Sequence, residues 1–70
     1  MKVAVVYNNQ VVQVLDIADL SQLPDTYTFI YDGQQMTMQR SQVKLVKVNT
    51  DVQVGDVYVP GKGIFRFVGA

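Results

Sequence analysis

Any active site in this sequence would have to be assembled from Ser21, Ser41, six aspartates and the cations Lys2, Arg40, Lys44, Lys47, Lys62 and Arg66. The chain has no His, no Cys and no Glu. That removes the commonest general base, the thiol nucleophile and most metal ligand sets. Asp16 and Asp19 could together face a cation, but isolated aspartates beside turns are explained by capping. Pro60-Gly61-Lys62-Gly63 superficially resembles a phosphate-cradling loop. It lacks the G-x-x-x-x-G-K-[ST] spacing, and no helix follows to aim its N-terminus at a phosphate. The expectation is a non-enzymatic protein with no cofactor and no metal.

Binding is therefore the chemistry left to weigh. The formal net charge of zero hides an uneven chain, because residues 1–39 carry net −3 and residues 40–70 net +3. Arg40, Lys44, Lys47, Lys62 and Arg66 are the candidate nucleic-acid contacts. Lys44 and Lys47 fall on opposite faces of an unbulged strand, and Tyr27, Phe29, Phe65 and Phe67 have the spacing of core rings, whereas stacking platforms need exposed rings beside cations. A small-barrel nucleic-acid-binding protein is thus the alternative. The primary expectation is a protein-interaction or assembly module, of the kind common among accessory proteins of bacteria and their phages. Its amide-rich strand edges, with Gln10, Gln13, Gln34, Gln35, Gln39, Gln42 and Gln53, suit that role.

The elements that position these residues are strands. Val occurs fourteen times and good helix formers are scarce, which points to an all-β chain. Asp32-Gly33 specifies a two-residue type I′ turn. That turn predicts Tyr31 opposite Gln34, Phe29 opposite Met36, Thr28 opposite Thr37, Tyr27 opposite Met38 and Thr26 opposite Gln39. One face of this hairpin is aromatic and thioether; the other is mostly hydroxyl and amide. Asn8-Asn9 predicts a similar turn, with Tyr7 opposite Gln10, Val5 opposite Val12 and Val3 opposite Val14. Both hairpins place Tyr before the turn and Gln after it.

Between them, Ile17, Leu20 and Leu23 recur every third residue, Asp16 or Asp19 can cap, and Pro24 discourages continuation. One short helical turn is expected there, with those three side chains plugging an open end of the sheet. In Val43 to Val48 apolar residues fall on both faces, so a bulge or two-sided burial is implied. Val52 and Val54 are expected to point inward ahead of a Gly55-Asp56 turn. Pro60-Gly61 suggests a type II turn before a last strand, Ile64 to Val68. The stretch from Val52 to Val57 resembles a turn frequent between strands of small SH3-like barrels. It covers under a tenth of the chain and identifies no family.

One domain, residues 1–70, follows from the length. The expected architecture is a small antiparallel barrel, SH3-like or OB-like, or else a flatter β-roll. With no Cys there is no disulfide, and no apolar run is long enough for a membrane span, so a soluble, cytoplasmic protein is expected. Burial on folding contributes on the order of 100 kcal/mol by area scaling, against a conformational cost on the order of 105 kcal/mol. So fine a balance favours a partner subunit. The predicted register places Val6, Val11 and Leu15 on the face opposite Val3, Val5, Val12 and Val14. That face must be covered, by the short helical turn or by a second copy, and a homodimer through Val6, Val11 and Leu15 is the expectation, with an unidentified protein as the other partner.

Overall fold

The computed structural model describes residues 1–49 and 51–66. Among these residues seven strands form two sheets: β1 (Lys2–Tyr7), β2 (Gln10–Asp16), β5 (Lys44–Val48), β6 (Val57–Val59) and β7 (Gly63–Phe65) in the order β5-β1-β2-β6-β7, and a separate pair, β3 (Thr26–Tyr31) and β4 (Gln34–Gln39). All pairings are antiparallel. The larger sheet curls into half a barrel. No α-helix is present among the described residues, and no helix there is long and apolar enough to cross a membrane.

The β3–β4 hairpin has the predicted register throughout, from Tyr31 opposite Gln34 to Thr26 opposite Gln39. Asp32 and Gly33 take φ of 53° and 76°, the left-handed pair a type I′ turn requires. Its inner face, led by Tyr27 and Phe29, packs with Val5, Val12, Leu15, Val43 and Leu45. Tyr7 and Tyr31 meet edge to face at 5.1 Å, so the two turn-flanking tyrosines stand side by side.

The β1–β2 hairpin begins as expected, with Asn8 and Asn9 left-handed and Tyr7 opposite Gln10, then departs from expectation. A bulge after the Val6–Val11 rung pairs Val5 with Gln13, Ala4 with Val14 and Val3 with Leu15. The extra residue is Val12, and from there β2 is shifted by one. Its first part bonds toward β6: the Val11 N–H donates to Asp56 O and the Val11 carbonyl accepts from the Gly55 N–H, both at 2.8 Å. The shift lets one strand serve two walls, as bulges at sheet corners do.

The expected interface through Val6, Val11 and Leu15 is not a surface. Val6 and Val11 are buried inside the chain, packed with Ala4, Val52 and the flanking Val14, Val46, Val48, Tyr58 and Ile64. Curling of β5, β6 and β7 around that face supplies the cover assigned to a helical turn or a second copy. Leu15 has moved to the other face, against the β3–β4 hairpin. Seventy residues do supply two layers, because β1 and β2 are shared by two small cores.

Other expectations divide in the same way. Two-sided burial of β5 holds without a bulge: Val43 and Leu45 join one core, Val46 and Val48 the other. The segment between β2 and β3 forms a single 3₁₀ turn, Leu20–Gln22, whose cap is Asp19 accepting from Ser21 N–H at 2.8 Å. Three residues make too short a turn to carry an inward face, and Leu20 stands exposed rather than plugging the sheet. A second 3₁₀ turn, Arg40–Gln42, joins β4 to β5. Val54 is exposed where an inward side chain was expected, and on β7 Ile64 packs inward while Phe65 is exposed, the reverse of the expected facing. Phe67 and Val68 lie outside the described residues.

Candidate interaction surface

The five cations proposed for phosphate contact are held in separate places by separate tasks. Arg40 Nη2 donates to Leu23 O at 2.6 Å and to Asp25 Oδ1 at 3.2 Å, and its Nε to Pro24 O at 3.3 Å. It ties the chain entering β3 to the end of β4. Arg66 Nε donates to Asp56 Oδ1 at 3.1 Å and its Nη2 to Asp51 O at 3.3 Å. That pairing holds the Asp56 carboxyl below its usual value, assisted by the Gln53 N–H, while the guanidinium is pushed upward by the same contact. Lys44 Nζ lies 5.5 Å from the centre of the Tyr58 ring. Lys44 is opposite Val6 and Lys47 opposite Val3, so the two lysines point to different faces of β5. Lys47 shares its surroundings with Asp16 and Asp51, and Lys62 sits in the β6–β7 turn. These cations form no continuous stripe.

The β3–β4 hairpin has a different character. Its outer face presents Thr26, Thr28, Ile30, Gln35, Thr37 and Gln39, all exposed and none charged. Thr28 Oγ1 and Thr37 Oγ1 are 3.1 Å apart across it. In an antiparallel pair, alternate residues exchange backbone bonds and the intervening ones turn their N–H and C=O outward. The two-residue turn makes Tyr31–Gln34 a bonded pair, and Arg40 N–H donating to Asp25 O at 2.9 Å fixes the same phase at the far end. Gln35, Thr37 and Gln39 therefore direct their backbone groups away from β3.

Only Gln39 finds a partner for its N–H, the Gln42 Oε1 at 3.0 Å in a reciprocal capping box. Gln35 and Thr37 have no backbone partner on that side among the described residues. β3 and β4 pair only with each other; β3 approaches β2 without pairing with it, and β4 borders no other strand among the described residues. Natural edge strands are usually blunted by a Lys, a Pro or a bulge. β5 carries Lys44 and Lys47 and β7 is three residues long, but β4 has none of these protections.

Of the glutamines singled out from sequence, Gln34, Gln35 and Gln39 lie on β4, Gln42 is a cap, and Gln13 is turned inward with a buried Oε1. Thr37 was not anticipated as a binding residue. Its signal was present in the charge-free run QQMTMQ, which a protected edge would interrupt. The chain matches no protein-family model, no curated protein and no solved structure.

Proposed function

We propose that this protein is a non-enzymatic interaction module that binds an extended protein segment by strand addition to β4. The observation that carries the proposal is the outward backbone of Gln35 and Thr37, without a partner among the described residues, on an uncharged edge with no Lys, Pro or bulge. Strand addition takes its affinity from main-chain hydrogen bonds and its selectivity from alternate side chains. Here the incoming strand would meet Met36 and Met38 on the inner side and Thr37 and Gln35 on the outer. Methionine adapts to partners of different shape, so moderate selectivity is expected. Dispersal of Arg40, Lys44, Lys47, Lys62 and Arg66, two of them tied to carboxylates and backbone carbonyls, weighs against phosphate binding.

The test pairs two titrations. Peptides selected from a displayed random library should shift the amide resonances of Gln35 and Thr37, with little dependence on salt. Labelled single- and double-stranded DNA and RNA should not bind at low salt. Nucleic-acid binding that weakens steeply with added salt and is abolished by Lys44→Ala with Lys47→Ala would replace this proposal with the phosphate-binding one.

A further inference from the structure

We infer that the strand received by β4 is β4 of a second copy, running antiparallel about a two-fold axis through Thr37. This rests on the strand-addition proposal and names its occupant. The segment Gln35-Met36-Thr37-Met38-Gln39 reads the same in both directions. Antiparallel pairing centred on Thr37 therefore sets Gln35 against Gln39 of the partner subunit, Met36 against the partner's Met38, and Thr37 against the partner's Thr37. Every residue meets its own kind, which is the condition for a two-fold contact of like surfaces.

Backbone phase agrees with the palindrome. A two-fold axis through a bonded pair needs a central residue whose N–H and C=O both point outward, and Thr37 is such a residue because its pairing with Thr28 is the non-bonded kind. The Gln35 N–H then reaches the partner's Gln39 carbonyl, while the Gln39 N–H stays with its own Gln42. Side chains agree as well. Met36 and Met38 are half-buried on the inner face, and each gains the other as a cross-strand neighbour. On the outer face a second threonine pair repeats the Thr28–Thr37 contact already made within the hairpin. No charge confronts its symmetry mate. The two-fold contact is satisfied by two copies and joins their β3–β4 hairpins into one continuous four-stranded sheet.

Sedimentation equilibrium from about 10 micromolar to about 1 millimolar tests the pairing, since an edge contact is small beside the roughly 1,200–2,000 Å² of stable complexes. The expected result is a mass rising from 7.8 kDa toward twice that value. Thr37→Lys and Thr37→Asp should each weaken association at least tenfold, and mixing the two variants should restore it, because the axis sets the new charges directly opposite one another. Circular dichroism and a cooperative melt confirm that each variant is folded, as expected for an exposed position. Wild-type association unaffected by either variant, or variants that do not recover on mixing, would overturn the pairing. A wild type that stays at 7.8 kDa at all concentrations also overturns it. Should that monomer still bind selected peptides at Gln35 and Thr37, the self-pairing alone falls. If neither peptides nor a second copy engages β4, the strand-addition proposal falls with it.

Discussion

Arg66 and Asp56 form a forked contact beside the core of Ala4, Val6, Val11 and Val52, with Nε 3.1 Å from Oδ1 and Nη2 3.4 Å from Oδ2. The same Oδ2 accepts from Gln53 N–H at 2.9 Å, so the carboxylate closes the turn beneath Val52 while joining it to the residue that follows β7. Asp56 is the one charged side chain buried among the described residues.

Acid should loosen this arrangement. The Arg66 contact, then the Gln53 N–H, depress the Asp56 pKa below 3.8. A depressed carboxyl contributes stability that is present above its unfolded pKa and lost as pH falls through the folded value. Melting temperature should therefore decline below about pH 4, the ordinary Asp range. Asp56→Asn should lower stability at pH 7 and flatten the acid limb, whereas Asp25→Asn, on the exposed Arg40 pair, should change little. An unchanged acid limb in Asp56→Asn would show that the fork does not couple protonation to folding.

Gly33→Val should destabilise the protein by more than about 1 kcal/mol, because a β-branched residue is strained at positive φ. A Cβ at Gly33 would meet nothing within 4 Å, so the cost is conformational rather than a clash. Urea denaturation checks it, and an unchanged midpoint would refute the turn assignment.

The legibility of the fold followed the strictness of local alternation. In TYTFIYDGQQMTMQ, one turn type and one apolar face agree on a single register, so a slip would bury Thr28 or Thr37, and the pairing could be read directly. In Val11-Val12-Gln13-Val14-Leu15 apolar residues stand at both parities. A one-residue shift still buries valines, so the sequence exacts no penalty that would reveal the bulge at Val12. The curl of β6 and β7 over Val6 and Val11 depends on the Asp56–Arg66 fork and on Gly55 and Asp56 bonding to Val11, contacts spanning 10 to 45 residues that no local pattern encodes. For the candidate edge, amide richness was legible, but that β3 and β4 pair only with each other was not.

Tyr27→Phe should leave stability unchanged or raise it. The Tyr27 ring is one of the largest buried groups, yet its hydroxyl is buried without a hydrogen-bond partner among the described residues. Removing an unsatisfied polar atom while keeping the ring avoids its desolvation cost, on the order of 1–3 kcal/mol. A fall of more than about 1 kcal/mol in the same urea assay would mean that the hydroxyl has a partner in solution, such as a bound water.

Val6→Lys tests directly whether Val6 is a core position or a surface one. Val6 is 3% exposed and belongs to the cluster of Ala4, Val11 and Val52, closed by Tyr58 and Ile64. Its neighbour across the β1–β5 pair is Lys44, so the new ammonium would be desolvated and would face a like charge. No aspartate is registered beside it on β1, β2 or β5, since Asp16 lies at the far end opposite Lys2. The expected loss is at least about 3 kcal/mol, the cost of an uncompensated buried charge, and for a domain this small that means an unfolded chain at 25 °C. Ile30→Lys is the control: Ile30 is 68% exposed on the outer face of β3, and the change should stay within about 0.5 kcal/mol. Circular dichroism with urea titration of both variants decides the matter. A Val6→Lys protein that folds as well as the Ile30→Lys protein would show that β5, β6 and β7 do not close over Val6 in solution.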